Sequence, residues 1–275
     1  MIEMIQEMLS YSFMVRALVV GGFVSLCAAL LGVILVLKKY SMIGDGLSHV
    51  GFGALAVANA LQLQPLYVTI PVVVIAAFLL LRIKENSAIK GDSAIALISS
   101  GSLAIGVIVT SVNGTNTDLS NYLFGSILAV GQRDLVLCIA VSIVVVLAIT
   151  LLYHRIFAIT YDESFATATG LHTQVYDSII AILTAIIIVV GMRLMGTLLI
   201  SSLIIFPSIS SMRLFKHFQW VVLASAIISV VCFFAGMVTS YYYELPSGAS
   251  VVMLNIVALV ICSLTGAVAN RFRKN

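Results

Sequence analysis

Phe13-Met-Val-Arg-Ala-Leu-Val-Val-Gly-Gly-Phe-Val-Ser-Leu-Cys-Ala-Ala-Leu-Leu-Gly-Val-Ile-Leu-Val-Leu37 carries one charge, Arg16, in an otherwise apolar run. About 20 predominantly apolar residues let an α-helix cross the hydrocarbon core of a bilayer, so this stretch reads as a membrane span. Eight more stretches read the same way: 43–63, 66–82, 93–112, 134–153, 176–192, 194–212, 219–242 and 247–268. The 43–63 stretch contains ionisable residues, and 194–212 follows Arg193 with almost no loop. Leu119 to Val130 is too short to span. It reads as a re-entrant or interfacial segment, or as the start of the next helix. Composition agrees: of 275 residues, 61% are hydrophobic and 9% charged, against roughly 25% charged in soluble domains. The expectation is an all-α, polytopic membrane bundle of 8–9 transmembrane helices, forming one membrane domain over residues 1–275.

The basic residues orient it. With nine spans, one side holds Lys38, Lys39, Arg82, Lys84, Lys90, Arg155, Arg213, Lys216, Arg271, Arg273 and Lys274, and the other Arg16, Arg133 and Arg193. Cytoplasmic loops are enriched in Lys and Arg, which puts the C-terminus in the cytoplasm. The N-terminal Met1-Ile-Glu-Met-Ile-Gln-Glu-Met is acidic and lacks the basic region of a secretory signal. It reads as a short amphipathic lead-in that stays on the protein. The chain has 19 glycines, many in or beside spans, where small residues allow close helix approach. Pro71 and Pro207 imply a kink or break in their spans. Cys27, Cys138, Cys232 and Cys262 fall in apolar stretches without a C-x-x-C pair and read as small buried hydrophobes. No basic stripe with interleaved aromatics supports nucleic-acid binding.

Within the second span, Asp45 and His49 are four residues apart, so on a helix they share a face. Ionisable groups in hydrocarbon are costly, and usually face a bundle interior or a watery path. A carboxylate and an imidazole together suit a borderline divalent metal. The alternative is an Asp–His contact that only locks helix packing.

The longest inner loop, 154–175, carries its own helix grammar. Asp162 suits an N-cap, Glu163 the first turn, and Gly170 the left-handed position past the end. Phe165, Ala166, Ala168 and Thr169 lie between. So short a helix is unstable alone, and reads as held by the membrane domain or docked in a partner's groove. No G-x-x-x-x-G-K-[ST] motif is present. Any nucleotide-driven step therefore belongs to another subunit.

These residues resemble the membrane permease subunit of bacterial zinc/manganese-uptake ABC transporters. Lys38-Lys-Tyr-Ser-Met-Ile-Gly-Asp-Gly-Leu-Ser-His49 is similar to that family's basic pair followed by G-D-x-x-x-H. Tyr122-Leu-Phe-Gly-Ser-Ile-Leu128, Asp162 to Gly170, and Gly196 to Pro207 resemble further family stretches. Phe206 and Ser208 beside Pro207 depart from the small residues usual there. The likeness covers nearly the whole length. It implies a non-catalytic, multi-pass permease of the bacterial cell membrane. The implied partners are two cytoplasmic ATPase subunits, an extracellular metal-binding protein and a second copy of this chain. It implies that Asp45 and His49 line the metal path, and that Asp162, Glu163, Phe165, Ala166 and Gly170 couple to the ATPase. No permanently bound cofactor is expected; the cargo is Zn²⁺, with Mn²⁺ or iron as alternatives. Rival readings are a permease for a siderophore or vitamin, an ion channel, and an intramembrane aspartyl protease using Gly44-Asp45 and Tyr176-Asp177. Metal ligation needs a neutral imidazole, so uptake is expected to fall as acidification protonates His49. An uptake profile flat from mildly acid to neutral pH would exclude His49 as a ligand.

Overall fold

The computed structural model of the chain describes residues 6–8, 10–86, 91–113, 125 and 131–272. Every stretch read as a span is helical over most of its length. The long helices are α1 (Ser12–Leu37), α2 (Ile43–Ala60), α3 (Pro65–Asn86), α4 (Gly91–Val112) and α5 (Gln132–Leu151). After them come the short α6 (Tyr153–Tyr161) and α7 (Glu163–Ala168), then α8 (Thr173–Met195), α9 (Thr197–Leu214), α10 (Phe218–Tyr243) and α11 (Ser247–Phe272). No strand occurs among the described residues.

The expected 8–9 spans need one correction. Among the described residues, seven helices are long and apolar enough to cross a membrane; α2 and α3 are not among them. The cause in α2 is visible: Asp45, His49 and Asn59 dilute its apolar side chains. In α3 the apolar part is the shorter Pro65–Leu80. The apolar piece 119–130 lies outside the described residues except for Gly125. The inner loop 154–175 is also more ordered than its sequence suggested, because α6 precedes the expected short helix.

Lipid offers no hydrophobic drive between helices, so tight packing must hold the bundle. Helices α1, α9, α10 and α11 pack on one another, α2 lies against α3 and α4, and α8 bridges α3 and α9. Gly32 of α1 meets the Ile204 backbone and Ser208 of α9. Hydroxyls stitch the same seams: Ser229 Oγ donates to the Ser25 carbonyl at 2.9 Å, and Ser225 Oγ to that of Ala29 at 3.4 Å. Pro207 and Pro71 both sit inside continuous helices, so neither breaks its span. Around Pro207, Ser208 Oγ donates to the Ile204 carbonyl at 2.8 Å. The four cysteines are free and buried.

Ion pairs hold both ends of α8. At its start Asp177 pairs with Lys38, just past α1. At its end Arg193 Nη1 lies 3.5 Å from Asp134 Oδ1 in the first turn of α5. Arg193, between two spans, thus has a partner. The α8–α9 junction turns at Gly196 (φ 86°, ψ 161°), a conformation that favours glycine. Gly125 (φ 66°) lies so close that a Cβ would strike the Met195–Gly196 backbone.

The α2–α4 seam is as close. A Cβ on Gly53 would lie 2.6 Å from the Ser102 carbonyl oxygen, whereas one on Gly101 would meet nothing within 4 Å. Gly53→Ala is therefore expected to destabilise the bundle by about 1–3 kcal/mol through overpacking. Gly101→Ala should be neutral or slightly stabilising, as Ala is the better helix former. Thermal unfolding of the two purified variants in detergent checks the contrast.

Candidate metal path and coupling face

The chain reverses sharply before the pair. Lys39 adopts φ 63°, and Tyr40 N donates to the Leu35 carbonyl at 2.8 Å, closing α1. Three residues later α2 begins, with Asp45 in its first turn, where a carboxylate complements the helix N-terminus. Four glycines seat α2 among its neighbours. Gly44 abuts Ile204 of α9, Gly46 abuts Ile95 of α4, Gly51 abuts Met192 of α8, and Gly53 abuts Ser102 of α4. The face between the α9 and α4 seams bears Asp45, His49 and Phe52.

His49 Nε2 lies 3.6 Å from Asp45 Oδ2. That exceeds a good hydrogen bond. It matches the ~3.4–3.6 Å between two donors that share one ion at bond lengths near 2.1 Å and tetrahedral-like angles. The Asp45 side chain is 47% exposed and that of His49 18%, so the carboxylate is half open on this face while the ring is largely enclosed. His49 Nδ1 is buried without a hydrogen-bond partner. Among the described residues, no group of three or more His, Cys, Asp or Glu could hold a metal ion. Asp45 and His49 are thus a candidate pair of donors without a third such group beside them among the described residues.

The two carboxylates of the protease reading have different partners: His49 for Asp45 and Lys38 for Asp177. That arrangement lacks the proton-sharing carboxylate pair such chemistry needs.

At the cytoplasmic end, Asp162 caps α7 by accepting from Phe165 N at 2.9 Å. Gly170 holds φ 86°, and Leu171 N and Gly170 N close the helix on the Ala166 and Thr167 carbonyls. Ala166 is buried against the body, while Phe165 is 63% exposed. Glu163 is exposed on the first turn. The five coupling candidates thus form one capped turn, with an apolar ring projecting. The preceding α6 lines a cleft of about 470 Å³ with Tyr153, His154 and Phe157, opposite His217 to Trp220. Sequence reasoning missed α6 because Tyr153–Tyr161 is short and mixed in polarity.

The model of the ABC 3 transport family matches residues 10–266. The manganese import system permease protein ScaB of Streptococcus gordonii is 29% identical over 94% of this chain and 93% of its own. A probable iron transport system membrane protein of Haemophilus influenzae is 31% identical over 95% and 96%. The high-affinity zinc uptake system membrane protein ZnuB of the same organism is 29% identical over 91% and 97%. Among solved structures, PsaBC from Streptococcus pneumoniae in complex with Fab superposes with a TM-score of 0.85 at 28% identity, covering 95% of each chain.

The Lys38–Asp177 pair is mostly buried, at 9% and 18% exposure. Removing one partner strands the other charge, at an expected cost of roughly 2–5 kcal/mol. The double variant Lys38→Met/Asp177→Leu should lie closer to wild type than either single substitution. A double-mutant cycle on thermal unfolding measures it; additive losses would show that the two charges do not interact.

Proposed function

The chain belongs to the ABC 3 transport family, and we propose that Asp45 and His49 carry its cargo through the membrane. The protein is the multi-pass membrane permease of a metal-ion ABC importer in the bacterial plasma membrane, and is not itself an ATPase. The supporting observation is an Asp–His pair, spaced for a shared ion and partly exposed, on a glycine-seated helix.

An extracellular metal-binding protein would deliver the ion at the outer face. Asp45 supplies oxygen and His49 nitrogen, and water completes the shell at positions the protein leaves open. Zinc, favoured by the family resemblance, is the first candidate cargo. Manganese and iron are the alternatives, and relatives named for each of the three metals match this chain over nine-tenths of its length. A carboxylate and an imidazole accept all three.

Two further partners are part of the proposal. Phe165 on α7 would dock in a groove of a cytoplasmic ATPase, with Asp162 and Gly170 fixing the turn that presents it and Ala166 seating it. Nucleotide-driven motion would pass through residues 169–172 into α8. A second copy of this chain would pack on α4, whose open side exposes Ala96, Ser100 and Ala104 at four-residue spacing. Small residues so spaced favour close helix pairing in membranes.

Elemental mass spectrometry of cells lacking the chain, complemented with wild type or with Asp45→Ala/His49→Ala, tests the reading. The wild type is expected to restore zinc and the variant to fall short by at least about tenfold in uptake rate. Restoration of manganese instead would change the cargo and keep the path. Normal metal content with the double variant would sink the ligand assignment.

A further inference from the structure

The phase of the helices around the pair locates two more donors. Gly46 abuts Ile95 and Gly53 abuts Ser102, so α2 and α4 run parallel. Gly44 abuts Ile204, while Ile200 lies by Gly191, next to the Met192 that meets Gly51, so α9 runs antiparallel to α2. A helix turns about 100° per residue. Asp45 and His49 therefore fall on the side of α2 between those seams, with Phe52 beyond them packed on Gly106 of α4. Stepping round α4 from its Ile95–Ser102 seam brings Ser99 to that side. Stepping round α9 from Ile204 brings Ser201 to it from the opposite wall. At about 1.5 Å rise per residue, both serines come within roughly 3 Å of the His49 level along the bundle axis.

Burial supports the placement. Ser201 is 9% exposed, and its Oγ has no hydrogen-bond partner among the described residues. Its neighbours behave otherwise: Ser48 donates to the Gly44 carbonyl, Ser202 to that of Leu199 and Ser208 to that of Ile204. An unpaired hydroxyl inside a membrane bundle is costly unless it faces something polar. His49 Nδ1, at the same level, is likewise buried and unpaired.

We infer that Ser201, with Ser99 facing it across the crevice, is a further cation-path residue, flanking His49 on the outer side of Asp45. The two hydroxyls offer neutral oxygen to a divalent cation that keeps part of its water shell. They act before the carboxylate takes the charge. This rests on the metal-permease reading and adds a station to it.

Thiol chemistry on the full transporter in vesicles tests the assignment. Ser201→Cys and Ser99→Cys are each treated with a small cationic methanethiosulfonate, with and without Zn²⁺ or Mn²⁺ alone. Ser210→Cys is the comparison, because Ser210 is buried and unpaired on the same helix but on the side away from the crevice. Ser201→Cys is expected to react about tenfold or more faster than Ser210→Cys, to be slowed about tenfold by metal, and to lose that protection when Asp45→Ala is added. Equal rates at positions 201 and 210, or rates indifferent to metal at both 201 and 99, would overturn the inference. Unreactive 201 and 99 thiols alongside lost uptake in Asp45→Ala would sink the serines alone. Full uptake in Asp45→Ala would sink the underlying metal-path reading.

Discussion

Water is missing from the hydrocarbon core, and the rest of this structure depends on that. Each backbone polar group there must be paired within its own helix, which is why the described chain is a series of helices joined by short turns. Side-chain polarity is rationed by the same rule. Most buried hydroxyls donate to a carbonyl one turn back or to a neighbouring helix. The exceptions are therefore informative. The His49 ring nitrogen and the Ser201 hydroxyl are two of them, and their helices converge on one crevice.

Close packing is what gives α2 a usable open face. Without glycine at 44, 46, 51 and 53, its neighbours would stand off and lipid or side chains would fill the gap. With glycine there, α3, α4, α8 and α9 pack around it, and the side between α4 and α9 carries the only carboxylate of the helix. The grip also explains how an 18-residue helix with two ionisable side chains stays within the bundle. It is supported laterally by protein instead of by its own hydrophobicity. Helix α8 transmits between the two ends. Its first turns are tied to α1 by Asp177, its last to α5 by Arg193, and a single glycine hinges it to α9. The capped α7 turn is joined to α8 by four residues, so a push on Phe165 arrives at a helix held at both ends.

The legible features were the local ones. Apolar length marked every long helix, including those whose ends the structure moved by a few residues. Cap grammar marked α7, because Asp162 and Gly170 act within one turn of themselves. The i, i+4 spacing marked Asp45 and His49 for the same reason. What stayed hidden was set by distance along the chain. Arg193 and Asp134 are far apart in sequence, and no pattern near either one announces the other. The span count failed at α2 because the residues that serve the site also lower its hydropathy. Ser99 and Ser201 gave no signal at all: serine is common in this chain, and only the phase of α4 and α9 against α2 separates these two from the rest.

The sparse donor set proposed for the cargo fits the task of moving an ion, not keeping it. Four strong protein ligands would hold zinc as firmly as a structural site does, and an importer must let go on every cycle. In the proposed path one carboxylate would supply the charge, one imidazole would supply direction, and uncharged oxygens would border the approach. Loss of the carboxylate's reach would then free the ion, because hydroxyls and water bind it weakly. The needed displacement is small. Asp45 stands in the first turn of α2, just beyond the Lys38–Asp177 tie and the left-handed turn at Lys39. A shift at the start of α8 is carried to that turn through Asp177 and Lys38. The Lys38–Asp177 pair and the proposed ligand Asp45 thus flank one tight turn. That proximity would give the proposed coupling helix, which has no ligand of its own, a route to the metal.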